Sequence, residues 1–124
     1  MKNKHFKQKP LLQLLGELRE IPVIVEGIND KRALKKLGVK YILTLRKPMY
    51  VIAEELAKYK KVAVLTDLDK EGKSLYRKMK ENLTRNGIQV NDEFRYFLFK
   101  ETKLRQIEGL YKYLSNNFEE VLYE

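Results

Sequence analysis

Short runs of apolar, β-branched residues alternate along this chain with longer stretches of helical periodicity, and that alternation limits its folding choices more than any other feature. Ile21 to Val25, Tyr41 to Leu45, Val62 to Thr66 and Phe94 to Phe99 read as four strands. Ile21 to Val25 is apolar throughout, as expected of a strand buried on both faces of a parallel sheet. Before it, Pro10 can open a helix carrying Leu11, Leu14, Leu15 and Leu18 on one side and ending near Glu20. Asp30 is placed to start the next helix, with Leu34 and Leu37 on its apolar side and Gly38 as the left-handed residue that closes it. After Pro48, residues Val51, Ile52, Leu56 and Tyr59 mark a third helical face. Leu75, Tyr76, Met79 and Leu83 mark a fourth, from about Gly72 to Asn86, with Gly87 as its stop. Leu104, Ile107, Leu110, Tyr111, Leu114 and Phe118 predict one further helix, or two broken at Gly109.

Strands separated by single helices cannot pair as hairpins. Crossover connections and a parallel sheet covered by helices are the economical solution, so the predicted class is α/β. In such sheets ligands collect beyond the carboxyl ends of the strands, which locates the chemistry before any motif is considered.

Composition narrows that chemistry. The 124 residues are the size of one compact domain, and 44% apolar residues suffice for its core. With no cysteine, disulfides, thiolate nucleophiles and thiolate metal sites are excluded, and any metal must be held by oxygen or by the single histidine, His5. The first apolar stretch, Leu11 to Leu15, is broken by Gln13 and followed by Glu17, Arg19 and Glu20, too short for a secretory segment or membrane span. A soluble, cytoplasmic protein is the expectation. The net charge of +9, with Lys2, Lys4, Lys7 and Lys9 ahead of the first acidic residue, favours polyanionic partners, although a solvated terminus would look the same.

Two of the predicted strands run directly into acids: Val25 into Glu26-Gly27, and Thr66 into Asp67-Leu68-Asp69. In an extended segment, residues two apart share a side, so Asp67 and Asp69 can both face a carboxylate from a neighbouring strand while Leu68 turns inward. Clustered carboxylates suit Mg²⁺, which prefers oxygen ligands and keeps several waters. Without a cation they would repel one another, and at least one would hold its proton more tightly. The plainer alternative has Asp69 capping the following helix, Asp67 making a turn and Glu26 solvated.

These residues also carry a resemblance. Val23-Ile24-Val25-Glu26-Gly27-Ile28-Asn29-Asp30 resembles the glutamate motif of the Toprim superfamily, and Leu65-Thr66-Asp67-Leu68-Asp69-Lys70-Glu71-Gly72 resembles its DxD motif. The nearest group is that of small stand-alone archaeal-type Toprim proteins similar to the 5S ribosomal RNA maturation endonucleases. The resemblance implies a Rossmann-like sheet of about four parallel strands over residues 20–100, preceded by a basic arm and helix (1–19) and followed by a helical extension packed on the same domain (101–124). It also implies a Glu26 that moves protons or ligates metal, and Asp67 and Asp69 holding Mg²⁺, or Mn²⁺, during phosphodiester cleavage. Gly27 and Gly72 would let backbone approach phosphate.

Rival motifs fit less well. An EF-hand loop starting at Asp67 would need glutamate where Lys78 stands, a haloacid-dehalogenase phosphatase would not have Glu71 after its DxD, and a receiver domain would pair acids where Gly27 follows Glu26. Lys31, Arg32, Arg46, Lys47, Lys70 and Lys73 could line the same rim and bind phosphate, or could simply be solvated. Among the tyrosines, Tyr41, Tyr59, Tyr76 and Tyr96 are expected in the core, while Tyr50, Tyr111 and Tyr113 could stack on bases. The leading expectation is Mg²⁺-dependent hydrolysis of structured RNA, with DNA as a weaker option. The alternative is a non-catalytic nucleic-acid-binding module or a subunit of a larger processing complex, and the sequence leaves oligomeric state open.

Overall fold

The computed structural model describes the backbone of residues 2–118 and the side chains of residues 10–118. The side chains of Lys2, Lys4, His5, Lys7 and Lys9, and the end of the extension at 119–124, lie outside the described residues. The order of elements is α1 (Lys2–Leu18), β1 (Val23–Val25), α2 (Ile28–Lys36), β2 (Ile42–Thr44), α3 (Met49–Leu56), β3 (Lys61–Leu65), α4 (Lys70–Arg85), β4 (Gln89–Asn91) and α5 (Glu93–Glu101), then a 3₁₀ turn (Ile107–Gly109) and α6 (Leu110–Asn117). The four strands form one parallel sheet in the order β2-β1-β3-β4.

Alternation along the strands builds two cores. Val23 and Val25 of β1 and Ala63 and Leu65 of β3 face α1, α2, α5, the 3₁₀ turn and α6, in a layer closed by Leu11, Leu15, Leu34, Leu98, Ile107 and Leu114. Ile24, Val62 and Val64 face the other way, against Ile52 and Leu56 of α3 and Met79 and Leu83 of α4. The α/β class and the four-stranded parallel sheet are thus as the sequence predicts. So are the helix closures, since Gly38 and Gly87 have φ of +89° and +78°, where a glycine is most easily accommodated.

Several boundaries differ from expectation. Pro10 lies inside α1 and does not open it. No glycine or other proline interrupts residues 2–9, whose lysines and glutamine are good helix formers. The cap of α2 falls at Gly27, with Asp30 as the third helical residue. The larger correction concerns the last strand. Phe94 to Phe99 is helical, within α5, and β4 is the short run Gln89-Val90-Asn91 at the sheet edge, with Val90 its one apolar residue. The aromatic run suggests a strand by composition, but its burial follows the helical period: Phe94, Leu98 and Phe99 are buried while Tyr96, expected in the core, is 65% exposed. Asn91 also accepts the Glu93 N–H through its side chain at 3.0 Å, a local bond that favours ending the strand and starting the helix.

Candidate metal and nucleic-acid site

The strand order places a switch point between β1 and β3: from β1 the chain moves outward to β2, and from β3 it moves the opposite way to β4. Loops at such a point diverge and leave a crevice at the carboxyl ends of the two strands. Glu26 is the first residue beyond β1, Asp67 stands two beyond β3, and Val25 is in register with Leu65. The two segments therefore meet, and the Asp67 N–H donates to Glu26 Oε2 at 2.7 Å.

The convergence of the two aspartates does not come from strand alternation. β3 ends at Leu65, and the chain bends at Leu68 and Asp69 before α4 begins. Each acid of the trio instead has one oxygen fixed by a backbone amide. Asp67 Oδ1 accepts from Ile107 N–H at 2.8 Å, and Asp69 Oδ1 accepts from Gly72 N–H at 2.6 Å as the N-cap of α4. Helix capping and membership of the acid cluster therefore coexist in Asp69. Leu68, whose side chain packs against the core, donates its N–H to the Arg105 carbonyl at 2.8 Å. The fully buried Thr66 donates its hydroxyl to the Gly72 carbonyl at 2.7 Å, tying the bend to the first turn of α4. Gly72 is required by this packing: a Cβ there would meet the Asp67 backbone, lying 2.7 Å from its carbonyl carbon. Gly27 has open space around it and an extended backbone, so only Gly72 of the two motif glycines is sterically enforced.

Two further acids belong to the cluster. Asp30, 7% exposed, accepts from Gly27 N–H at 3.2 Å, and Glu108 of the 3₁₀ turn lies close enough to repel both Asp67 and Asp30. Burial raises the pKa of Glu26, and repulsion from Asp67, Asp69 and Asp30 adds to the rise against the Asp67 amide bond. Burial likewise raises Asp67, helped by Asp69 and Glu108 and opposed by the Ile107 amide and Arg95. Burial first, then Asp67, raises Asp30. The nearby cation is Arg95 of α5. Its Nε donates to the Thr66 carbonyl at 3.0 Å and its Nη2 to the Asp67 carbonyl at 2.9 Å. No motif singles out Arg95, Ile107 or Glu108; Asp30 closes the glutamate motif and carries a helix-start signal, three residues after Gly27, but nothing in the sequence marks it as a member of the acid cluster.

Because all three carboxyl shifts are upward, the folded protein binds these protons more tightly than the unfolded chain. Their contribution to stability is complete below the ordinary carboxylate range and is lost as pH rises through the raised values. Urea titrations should therefore show stability falling as pH rises just above ordinary carboxylate titration, and falling less in Asp67→Asn. An equal slope in both proteins would show that the part-buried Asp67 carboxyl contributes nothing to this pH dependence.

The basic residues divide. Lys47 is paired with Glu55 at 2.7 Å, whereas Arg46, Lys70 and Lys73 are exposed and Lys31 is half-exposed, none of these four in an ion pair among the described residues. An open cleft of about 410 Å³, lined by Asp69, Lys103, Arg105, Gln106 and Glu108 among others, continues the site along the 3₁₀ turn. Tyr50, as expected, is 73% exposed, on α3. Among the described residues no three histidine, cysteine, aspartate or glutamate side chains are arranged to hold a metal ion together, so the trio gathers without closing into a three-ligand cage.

A parallel α/β sheet with an acidic crevice at its switch point and a DxD bend capped onto the next helix defines a class of protein. The chain belongs to the Toprim family, whose model, Toprim domain, matches residues 21–99. It is 37% identical over 115 residues to a UPF0292 protein of Methanocaldococcus jannaschii, covering 85% of this chain and 90% of that relative. It is 38% identical over 104 residues to a UPF0292 protein of Pyrococcus abyssi, covering 79% of each. A solved structure from Aquifex aeolicus matches with a TM-score of 0.72 at 38% identity, covering 79% of this chain and 92% of that one. At the level of the family, membership carries metal-dependent chemistry on nucleic acid, with a divalent ion bound at the domain. No helix among the described residues is long and apolar enough to cross a membrane.

Proposed function

We propose that this protein is a Mg²⁺-dependent phosphodiesterase that cleaves structured RNA, with DNA as a secondary substrate class and precursor ribosomal RNA, in the cytoplasm, as the natural setting. The observation that carries the reading is the meeting of Glu26, Asp67 and Asp69 at the switch point, each with one oxygen held by a backbone amide. The second oxygen of each carboxylate accepts no hydrogen bond among the described residues, so the bend presents oxygen donors suited to a hard cation.

Asp67 and Asp69 would hold Mg²⁺, or Mn²⁺ in its place. Two carboxylates completed by water and substrate phosphate match the way this ion is commonly bound, and a three-acid cage is not needed. When bound, the ion would supply an activated water and stabilise the leaving oxygen. Glu26, whose carboxyl sits above its usual range and whose Oε2 is occupied by the Asp67 amide, serves better as the group that takes or gives a proton than as a third ligand. Lys31, Arg46, Lys70 and Lys73 contact the phosphate backbone, joined by Lys47 when it leaves Glu55; Gly27 leaves open space for phosphate beside the backbone, and Gly72 lets the first turn of α4 lie against the bend.

The second reading, a nucleic-acid-binding module without catalysis of its own, draws on the exposed cations Arg46, Lys70 and Lys73, which can meet phosphate whether or not a metal is held. Incubation with structured RNA, single-stranded DNA and duplex DNA, in Mg²⁺, Mn²⁺ or chelator, separates the two. Cleavage of structured RNA in either metal and none in chelator is expected. Retardation of the nucleic acid without cleavage in any metal would leave the binding module, and neither effect would overturn both readings.

A further inference from the structure

We propose that Arg95 is a positioning residue for the acid site: its guanidinium holds two consecutive peptide units of the DxD bend and thereby sets where Asp67 stands relative to Glu26. The functional weight of this assignment rests on the reading of Asp67 as a metal-holding residue.

A peptide unit is planar and trans, so its C=O and N–H point in opposite directions, and holding one end aims the other. The Thr66 carbonyl and the Asp67 N–H belong to one such unit. Arg95 Nε grips the carbonyl at 3.0 Å, and the N–H on the far side meets Glu26 Oε2 at 2.7 Å. The Asp67 carbonyl and the Leu68 N–H belong to the next unit. Arg95 Nη2 grips that carbonyl at 2.9 Å, and the N–H meets the Arg105 carbonyl at 2.8 Å. Both units are therefore fixed at both ends, one by Arg95 and Glu26, the other by Arg95 and Arg105. In a strand, successive carbonyls point to opposite sides, so one side chain reaches both only because the backbone has turned at Asp67.

The guanidinium is itself held. Its carbon lies 4.5 Å from the Tyr76 ring centre and 5.2 Å from that of Phe99, so aromatic groups of α4 and α5 constrain it. Tyr76 is anchored in turn: its hydroxyl donates to Asp92 Oδ2 at 3.1 Å, and Lys80 pairs with the same oxygen at 2.8 Å. A lysine at position 95 would keep the charge but lacks the planar fork that serves two carbonyls at once.

The test compares Arg95→Lys and Arg95→Met with the wild type and with Arg77→Met, which removes a positive charge from an exposed position on α4. The first measurement, amide hydrogen exchange, needs no metal. Exchange at Asp67 and Leu68 should rise about tenfold or more in both Arg95 variants, with the amides of β3 unchanged, and should stay at the wild-type rate in Arg77→Met. The second is Mn²⁺ affinity by electron paramagnetic resonance, expected to fall about tenfold in both Arg95 variants. Loss of a neighbouring positive charge alone would act in the opposite sense and tighten Mn²⁺. Unchanged exchange in Arg95→Lys, or tighter Mn²⁺ in Arg95→Met, overturns the proposal. If Arg95→Met does not fold, Arg95→Lys decides. If the wild type binds no Mn²⁺, the metal reading fails while the exchange result still decides the positioning role.

Discussion

Glu26→Gln should lower Mg²⁺-dependent cleavage of structured RNA by a factor of about 10²–10⁴, the range of a lost general acid or base. Asp67→Asn should lower it by at least about 100-fold through loss of a metal-holding oxygen charge. Both substitutions keep the acceptor that the fold uses: the side-chain amide introduced at position 26 retains a carbonyl oxygen for the Asp67 N–H, and the one introduced at position 67 retains one for Ile107. Both also remove one of several mutually repelling charges, so the melting temperature should hold or rise. The two variants separate by a second readout. Asp67→Asn should lose Mn²⁺ affinity, whereas Glu26→Gln should keep most of it and lose one limb of the pH–rate profile, the acidic limb if Glu26 takes a proton and the basic limb if it gives one. Initial rates and circular-dichroism melts measure both properties, and wild-type cleavage by either variant would end the catalytic assignment.

Gly72→Ala should cost about 3 kcal/mol and lower the melting temperature by roughly 10 °C, near the upper end of what overpacking does. The three atoms nearest the added methyl would all be backbone of Asp67, which no rotamer change can move aside. Relief requires the first turn of α4 to shift away from the bend. That shift would break the 2.6 Å cap to Asp69 and the 2.7 Å bond from Thr66 together. Gly27→Ala is the matched control, since its Cβ would enter open space on an extended backbone, and its effect should stay within about 0.5 kcal/mol. Urea denaturation at neutral pH gives both numbers, and a Gly72→Ala protein as stable as its control would show that the bend yields without penalty.

The contrast between these glycines shows what can be read in the chain alone. Both follow acids in recognisable motifs, and nothing local distinguishes them; the difference lies in what the fold brings against position 72. β1, β2 and β3 are legible because apolar, β-branched runs buried from both sides leave a continuous pattern. β4 is not, because a single valine between two polar residues at a sheet edge buries too little to leave a hydrophobic signature, and the aromatic run beside it carries the stronger strand composition. Glu26, Asp67 and Asp69 are legible as acids at the carboxyl ends of predicted strands. Their partners are not: Arg95 lies 28 residues from Asp67, and Ile107, acting through its main-chain N–H, lies 40 away. A main-chain donor has no identity in a sequence, and Arg95 falls in the segment whose composition suggests a strand.

The tether from Ile107 to Asp67 has a consequence for where this unit can be divided. The family signature matches residues 21–99, yet the anchor of its central acid stands at 107, and the apolar layer under β1 and β3 draws on Leu11, Leu15, Leu110 and Leu114. Signature and self-sufficient fragment are different lengths of polypeptide. Any graft, fusion or recombination that respects only the former would carry the acids without the scaffold that aims them.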